Sequence, residues 1–312
     1  MEYVTHDSRI CCIDGNGNEV GTILFPKREG NVYEITSTKV DPSMQGKGIA
    51  AGLMRHCLNE ISRRRGTVQA TCSYAQNYLA KHGLRPLVIC HMVTSIDGRV
   101  TGKFLSGSAG VQASEAYYDY HRAMQGDAFA CGRVTMESSF TGGFKPDLSE
   151  FAGADLPHED YIARKHGYYA VSFDRHGSVG WQDGILHDED PGYDDCHIIE
   201  VLSEDTPAEM LAYYRKIGVS YLFAGREDIE IKTALQKLYA LFGIRVLLLE
   251  GGSIINGAFL RAGCVDKISQ VIAPVIADQN DKPLFSDAGM TEFRMTSCET
   301  TEQGAVRIWY EA

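Results

Sequence analysis

The sequence predicts an α/β protein of two domains, a small α+β domain over residues 1–84 and a larger doubly wound domain over residues 86–312. Three observations lead to this prediction. The chain has 312 residues, which is too long for one ordinary core. Gly83 and Pro86 interrupt any helix between the two regions. After Pro86, apolar strand-like runs alternate with helical stretches, and this alternation is typical of a mostly parallel sheet with helices packed on it.

Composition favours a cytoplasmic globular protein. The hydrophobic share is 44% and the charged share is 23%, which are ordinary values for such a domain. The net charge of −11 argues against nucleic-acid binding, and the basic run 63–65 is interpreted as the end of a helix. We expect no membrane segment and no signal peptide. The nine cysteines are scattered without a CxxC pair, so we expect reduced thiols and no metal site.

The first domain begins as a meander of strands. Apolar runs at residues 10–13, 20–25 and 32–40 predict three strands, and the Asp/Gly/Asn cluster at 14–18 predicts the first hairpin turn. A helix from about residue 49 to 65 has apolar residues near helical spacing. A strand over 67–71 and a helix over 73–81 complete the domain.

The loop before the first long helix contains the main motif of this domain, Gln45-Gly46-Lys47-Gly48-Ile49-Ala50. Backbone N–H groups at such a turn could hold a pyrophosphate. The motif resembles the coenzyme A-binding loop of GNAT acetyltransferases, and Cys72-Ser73-Tyr74-Ala75 resembles the minimal members of that family. The resemblance implies an acetyl-CoA site at Gln45, Gly46, Gly48 and Ala50, with Cys72 as an acyl carrier. Two alternatives remain: Cys72 is a small buried apolar residue, and the domain only binds acyl-CoA or a partner.

The larger domain is predicted from its apolar runs. Predicted strands cover residues 87–93, 128–131, 168–173, 197–202, 221–224, 246–249 and 267–276. Predicted helices cover about 114–124, 208–217, 231–242 and 254–262, and residues 292–310 predict a terminal hairpin. The strands are almost continuously apolar, as burial on both faces requires.

Four strand ends carry residues suited to ligand binding, which in open α/β sheets occurs at the carboxyl ends of strands. The first is the turn at Asp97, which a plain Asp-Gly turn explains equally well. The second is Gly132-Arg133, where the glycine permits close approach and the guanidinium suits a phosphate. The third is Ser172, which comes directly after the apolar run 169–171. The fourth is Glu250-Gly251-Gly252, a carboxylate and a glycine pair entering a helix, which predicts a pyrophosphate cradle.

Residues 86–312 resemble the reductase domain of the riboflavin-biosynthesis deaminase–reductase, which belongs to the dihydrofolate reductase-like superfamily. The resemblance rests on the motifs at residues 94–99, 121–123, 132–135 and 249–275. It implies NADPH-dependent hydride transfer to a small heterocycle in a homodimer. The implied cofactor residues are Thr94, Gly132, Arg133, Thr135, Ser172, Gly251, Gly252, Ser253, Ile254 and Asn256. Asp97 and Glu250 would lie nearest the substrate, Arg122 would anchor a substrate phosphate, and Arg175 is a second cation near the ribose.

The sequence also departs from that family. No H-x-E and P-C-x-x-C pair of a deaminase is found, and Glu137-Ser138-Ser139-Phe140 stands where the riboflavin enzymes carry an acidic pair before a proline. Substrate recognition should therefore differ. Glu115 is interpreted as an acid in the first turn of a helix, where it is favourable for structural reasons. A nucleotide- or acyl-CoA-sensing protein without turnover is the alternative function.

Overall fold

The computed structural model describes residues 1–302 and 304–312. Contacts between residues divide the chain into two units, Met1–Leu87 and Val88–Ala312. Each unit has its own buried apolar core. In the described residues, no helix is both long and apolar enough to cross a membrane.

The small unit combines an antiparallel sheet with two helices. Its elements in chain order are β1 (Glu2–Thr5), β2 (Arg9–Ile13), β3 (Glu19–Leu24), β4 (Val32–Ile35), β5 (Ser37–Val40), α1 (Ile49–Arg63), β6 (Thr67–Ala70) and α2 (Ser73–His82). The sheet order is β1-β2-β3-β5, all antiparallel, and β4 and β6 form a separate parallel pair. The predicted hairpin joins β2 to β3.

The prediction of a single strand over residues 32–40 is wrong. The segment forms two strands, β4 and β5, which are separated at Thr36 and belong to different sheets. The N–H of Thr36 donates to the carbonyl of Leu24, which directs the chain after it towards β3. The carbonyl of Ile35 instead accepts from the N–H groups of Thr71 and Cys72, which holds β4 beside β6. The loop 41–48 therefore leaves from the edge of the antiparallel sheet and enters α1.

One apolar face of α1 forms the centre of the small core. Leu53, Cys57 and Ile61 follow at intervals of four residues and are fully buried, as expected for one face of a helix. At the other end of the helix, Gly66 is required because a Cβ there would lie 2.5 Å from the Tyr33 ring. The helix therefore ends where Tyr33 packs.

The large unit contains, in its described residues, ten strands and five helices. Its elements in chain order are β7 (Leu87–Thr94), α3 (Ser108–Ala123), β8 (Ala128–Gly132), α4 (Arg133–Met136), β9 (Tyr169–Phe173), β10 (Ile185–Leu186), β11 (Cys196–Leu202), α5 (Ala208–Ile217), β12 (Ser220–Phe223), α6 (Ile231–Lys237), β13 (Val246–Leu249), α7 (Ser253–Arg261), β14 (Lys267–Ile272), β15 (Arg294–Thr300) and β16 (Val306–Glu311). Single π-helical turns, Glu137–Thr141 and Leu238–Phe242, continue α4 and α6.

The large sheet is mostly parallel. Its order is β10-β11-β9-β8-β13-β7-β14-β16-β15, with β12 also paired to β11. The pairs β12–β11, β11–β9, β9–β8, β8–β13 and β7–β14 are parallel, and the terminal hairpin β15–β16 adds antiparallel strands beside β14. This mostly parallel sheet with helices between its strands is the doubly wound α/β architecture that the alternating pattern predicts. Because β8 and β13 are parallel, their carboxyl ends lie at the same edge of the sheet.

Two local predictions in this unit are wrong. Helix α3 begins at Ser108, not near residue 114, so Glu115 does not lie in the first turn and the structural reason given for it fails. Ser172 lies within β9 and does not follow it. Ser172 is fully buried. In the parallel pairing of β9 with β11 it lies opposite Glu200, which is also fully buried.

Candidate active site

Glu250 is a buried carboxylate at the carboxyl end of β13. Its side chain is only 2% exposed, because the strand before it is completely buried. Oε1 lies 2.6 Å from Nδ1 of His121, and Oε2 accepts a hydrogen bond of 2.9 Å from the Tyr193 hydroxyl. Both oxygens are thus held, as a buried charge requires.

His121 shares a proton with Glu250. Its other nitrogen, Nε2, lies 2.8 Å from the Gly192 carbonyl, which can only accept, so Nε2 carries a hydrogen. Burial lowers the pKa of His121, but the charge and hydrogen bond of Glu250 raise it more, so its net pKa shift is upward. The imidazolium form of His121 is therefore stabilised next to Glu250, with one proton between Nδ1 and Oε1.

Two tyrosines complete this cluster. The Tyr117 and Tyr193 hydroxyls are 3.2 Å apart. Burial and the nearby Glu250 raise the pKa of both well above the usual value, so both stay protonated and can donate. His91 stacks on Tyr117 at 4.3 Å between ring centroids, and burial lowers its pKa to about 4. His91 is therefore neutral at physiological pH.

Glu250 opens onto a cavity of about 630 Å³, which we call the Glu250 cavity. Its wall combines apolar, hydroxyl and tyrosyl groups from β7, α3 and the segment after β8. The lining residues are Met92, Val93, Val100, Thr101, Leu105, Val111, Ser114, Glu115, Tyr117, Tyr118, Thr135, Ser138, Ser139, Glu250 and Gly252. This size suits a small organic ligand.

The glycine pair borders the same cavity. Gly251 has φ +94°, and a Cβ there would lie 3.0 Å from the Met92 methyl, so a side chain would be both strained and crowded. The Gly132 N–H donates to the Gly251 carbonyl at 2.8 Å, and a Cβ on Gly252 would lie 3.4 Å from the Thr135 hydroxyl. Four predicted cofactor residues, Gly132, Thr135, Gly251 and Gly252, are thus brought together around bare backbone. This arrangement fits a nucleotide cofactor.

Three more of the predicted cofactor residues lie around the same strand ends. Ile254, in the first turn of α7, is 66% exposed. Arg133 begins α4 and pairs with Glu137 at 2.5 Å. Thr94 ends β7 and its hydroxyl accepts from Gln270 at 2.9 Å.

Three side chains predicted to contact the cofactor are used elsewhere. Ser172 is buried inside β9. The Ser253 hydroxyl bonds the Pro283 carbonyl and the Ser286 hydroxyl, and Asn256 donates to the Leu284 carbonyl at 3.1 Å. Ser253 and Asn256 therefore fasten the segment 283–286 to α7, while Oδ1 of Asn256 is buried without a hydrogen-bond partner among the described residues.

The structure does not bring Asp97 or Arg122 to the Glu250 cavity. Oδ1 of Asp97 accepts from the Ser95 hydroxyl at 2.7 Å and from the Ala277 N–H at 3.0 Å, so this carboxylate fastens its own turn. Arg122 pairs with Asp119 and Asp190, each at 2.6 Å. Neither residue lines the cavity, and the predicted substrate roles of both lack support from the geometry.

In the small unit, the predicted acyl-CoA loop lies between β5 and α1. Gly46 and Gly48 have φ of +77° and +76°, a conformation that favours glycine. Gly48 is the N-cap of α1, whose first N–H groups, including that of Ala50, have no partner within the helix. Gln45 precedes this pair of glycines. The loop thus presents backbone donors at a helix start.

Cys72 is the N-cap of α2 and lies partly exposed. Its Sγ is 3.7 Å from the Thr38 hydroxyl of β5. Burial raises the pKa of Cys72, but hydrogen bonds from the N–H of Ala75, from Thr38 and from the N–H of Tyr74 together lower it more, and the net pKa is below the usual value. The lowered pKa makes the thiolate of Cys72 easier to form than that of a buried cysteine in apolar surroundings, which argues against the alternative of an inert buried cysteine.

The His121–Glu250 pair gives stability a distinct pH dependence. Because the pKa of His121 is raised in the folded state, protonation of His121 stabilises the fold. This stabilisation is complete at pH values below the ordinary pKa of about 6.5, and it is lost as the pH rises through the higher pKa of the folded state. We expect His121→Gln to lower the free energy of unfolding by about 3 kcal/mol at low pH, and the gap to the wild type to narrow as the pH rises. Denaturant unfolding from mildly acid to mildly alkaline pH measures the gap.

His187→Gln is the matched control. His187 also lies close to an acid, 3.3 Å from Asp194, but its side chain is 72% exposed. Its unfolding curve should follow that of the wild type at every pH. A gap for His121→Gln that stays constant or widens with pH would contradict the proton assignment.

Comparison with known families finds a match in each unit. Residues 9–84 match the family described as GCN5-related N-acetyl-transferase. Residues 194–307 match the family described as the RibD C-terminal domain.

Comparison with individual proteins gives two curated relatives, both named 2,5-diamino-6-ribosylamino-4(3H)-pyrimidinone 5′-phosphate reductase. The relative from Methanothermobacter thermautotrophicus is 27% identical over 218 residues, which are 67% of this chain and 88% of the relative. The relative from Aquifex aeolicus is 33% identical over 81 residues, which are 26% of this chain and 36% of the relative. Among solved structures, a pyrimidine reductase-like protein from Corynebacterium diphtheriae is similar at a TM-score of 0.53 and 19% identity. That match covers 75% of this chain and 93% of that one, and it supports the fold.

The fold is therefore of the predicted dihydrofolate reductase-like class, with a GNAT-like domain before it. More particularly, residues 194–307 are similar to the RibD C-terminal domain, and residues 9–84 are similar to the GCN5-related N-acetyl-transferases.

Proposed function

We propose that the chain is an NADPH-dependent reductase of a small pyrimidine- or pterin-like heterocycle, fused to a module that binds acetyl-CoA. One observation carries the reductase proposal: Glu250, which is paired with His121, lines the same cavity as the bare backbone of Gly252. A proton source and a place for a nucleotide therefore meet at one sheet edge. The names of the curated relatives support the pyrimidine class.

The residues that would hold NADPH are Thr94, Gly132, Arg133, Thr135, Gly251, Gly252 and Ile254. When bound, NADPH supplies the hydride. Glycine at 132, 251 and 252 allows the backbone to approach closely. Arg133 offers its guanidinium to a phosphate. Because the Arg133 side chain is 43% exposed in its ion pair with Glu137, replacing Glu137 by a phosphate as its partner costs little free energy.

Reduction of a C=N or C=O bond also needs a proton at the second atom. Tyr193 and His121 hold both oxygens of Glu250. The proton between His121 Nδ1 and Glu250 Oε1 is the mobile one, because both other donors, the Tyr193 hydroxyl and the Nε2–H, already have acceptors. We assign Glu250 as the catalytic residue that delivers this proton, with His121 and Tyr193 as positioning residues.

For the small domain, we propose acetyl-CoA binding at the loop Gln45 to Ala50 and acyl transfer through Cys72. The lowered pKa of Cys72 and its partial exposure support the role of nucleophile. The GCN5-related match at residues 9–84 supports the ligand. We also propose that the protein is a cytoplasmic homodimer. The alternative is a sensing protein that binds both nucleotides without turnover.

Cofactor preference tests the reductase assignment. We expect NADPH to bind tighter than NADH, and Arg133→Ala to weaken NADPH by about tenfold to a hundredfold with a smaller effect on NADH, because a charge-assisted contact to the extra phosphate is lost. Calorimetric titration of the full chain with both nucleotides measures this. Arg122→Ala is the matched control, since Arg122 pairs with two acids outside the Glu250 cavity. Equal affinity of the wild type for the two nucleotides would refute the preference.

A further inference from the structure

Each member of the Glu250–His121 pair lines a different cavity. Glu250 lines the Glu250 cavity. His121 lines a second cavity of about 520 Å³, which we call the His121 cavity. This second cavity is formed by the end of α3, the segment before β9 and the loop before β11, and its lining includes Arg122, Gly167, Tyr168 and Gly192. The pair can therefore exchange protons on two sides, towards a substrate from Glu250 and towards the His121 cavity from the imidazole.

The loop before β11 contacts the imidazole beside the His121 cavity. We call this loop, residues 187–195, the Tyr193 loop. The Gly192 carbonyl is 2.8 Å from Nε2 of His121, and the Tyr193 ring stacks on the imidazole at 4.3 Å between ring centroids. Glycine is required at position 192, because a Cβ there would lie 2.6 Å from Cδ2 and 3.0 Å from Nε2 of His121. The backbone of the loop is thus in direct contact with the ring.

An ion pair holds the Tyr193 loop in this position. Oδ1 of Asp190 accepts from the Gly192 N–H at 2.7 Å, and Oδ2 accepts from Arg122 at 2.6 Å. Arg122 follows His121 directly on α3. The guanidinium therefore ties the loop to the helix turn that carries the imidazole, which gives a structural role to an arginine that the sequence predicted as a phosphate anchor.

The tautomer of His121 decides whether Glu250 can give up a proton. While Nε2 keeps its hydrogen, the second proton of the pair lies between Nδ1 and Oε1, where it can pass to Glu250. If Nε2 lost its hydrogen, the remaining proton would stay on Nδ1, because a neutral imidazole holds its last N–H firmly, and Glu250 would remain a carboxylate. The Gly192 carbonyl prevents this loss. It can only accept a hydrogen bond, and at 2.8 Å it is closer to Nε2 than the Tyr168 hydroxyl, which is 3.4 Å away.

We propose that Gly192, Asp190 and Arg122 are positioning residues that keep the hydrogen on Nε2 of the imidazole. In each turnover, one proton then passes from Oε1 of Glu250 to the substrate, and one proton from solvent replaces it between Oε1 and Nδ1. The Nε2–H takes no part in this exchange. The inference rests on the proposed reductase function and describes how the proton of the same site is controlled.

Nitrogen NMR of the full chain tests the proposal, because the chemical shifts of the two ring nitrogens distinguish the tautomers. His121→Gln identifies the His121 signals among those of the ten histidines. We expect the wild type to have the Nε2–H form at a pH where the ring is neutral. Gly192→Ala should shift the neutral ring towards the Nδ1–H form and lower turnover about tenfold to a hundredfold, because a hydrogen bond to a charged group is lost.

The ion pair gives a second test at the same ring. Burial lowers the pKa of His121, and Glu250 and Asp190 are among the groups that raise it. Asp190→Asn should therefore move the titration of His121 to lower pH. This variant leaves in place the other titratable groups that contact the ring, Tyr168 and Tyr193.

Each variant has a matched control. Gly167→Ala also adds a methyl group to the wall of the His121 cavity, but its Cβ meets open space, so tautomer and turnover should not change. Asp119→Asn removes only the other partner of Arg122 and should leave the titration of His121 unchanged.

A folded Gly192→Ala protein that keeps the Nε2–H tautomer would overturn the proposal, and so would an equal change of tautomer in Gly167→Ala. A titration of His121 that Asp190→Asn does not move, or that Asp119→Asn moves equally, would overturn the role of the ion pair. The tautomer is measured without substrate or NADPH. It therefore tests the proposal even if the wild type oxidises no NADPH, a result that would contradict the reductase function alone.

Discussion

Glu250→Gln should lower turnover about a hundredfold to ten-thousandfold, which is the usual size of a positioned proton donor's contribution. The amide keeps the shape of the side chain and its hydrogen bonds to His121 and Tyr193, but it cannot carry the mobile proton. The backbone of the glycine pair is unchanged, so NADPH affinity should change by less than about threefold. Loss of NADPH absorbance measures turnover, with a pyrimidine of the proposed substrate class as first trial substrate, and calorimetry measures affinity.

Two comparisons make this result specific. Glu227→Gln removes an exposed acid outside the cavity lining and should keep full turnover. The unfolding transition of Glu250→Gln must also be recorded, since loss of a buried charge next to His121 changes stability. Full turnover by a folded Glu250→Gln protein would remove Glu250 from the mechanism.

The sequence predicted Glu250 but not the groups that hold it. A fully apolar strand that ends in a carboxylate and two glycines is a local signal. Its partners are not local: His121 is 129 residues away and Tyr193 is 57 residues away. His121 belongs to helix α3, and Tyr193 lies in an irregular loop. No periodicity connects these three residues, so only the folded chain reveals the proton-sharing pair.

Strands in which almost every residue is buried were predicted correctly. The start of a helix was missed where a glycine allows close packing. The strands over residues 128–132 and 246–249 agree because continuous apolar runs of that length favour buried parallel strands. The early start of α3 was missed at Gly110, which lies in the first turn of the helix, where glycine has a low intrinsic helix propensity. In the fold, a Cβ on Gly110 would lie 1.9 Å from the Phe104 carbonyl, so this glycine permits close packing inside a helix. The division of the run at Thr36 likewise depends on tertiary pairing.

Gly48→Val should abolish acetyl-CoA binding by the full chain and leave NADPH binding unchanged. Gly48 has φ +76°, which a β-branched residue almost never adopts, so the substitution must reshape the loop that starts α1. The loop would hold a pyrophosphate through backbone N–H groups, and such donors depend on backbone shape more than on side chains. Calorimetry with acetyl-CoA and with NADPH gives the two readouts on one protein.

Gly17→Val supplies the matched control in the same unit. Gly17 has φ +84°, and a Cβ added there would meet open space, as at Gly48, but Gly17 lies in the β2–β3 hairpin turn. Both variants therefore carry the same kind of strain, and only Gly48→Val alters the proposed pyrophosphate loop. Acetyl-CoA binding that survives in Gly48→Val, or that is lost equally in Gly17→Val, would contradict the assignment.

Cys72→Ala then separates binding from transfer, because it should keep acetyl-CoA affinity and lose any acyl transfer, for which the thiolate is the nucleophile.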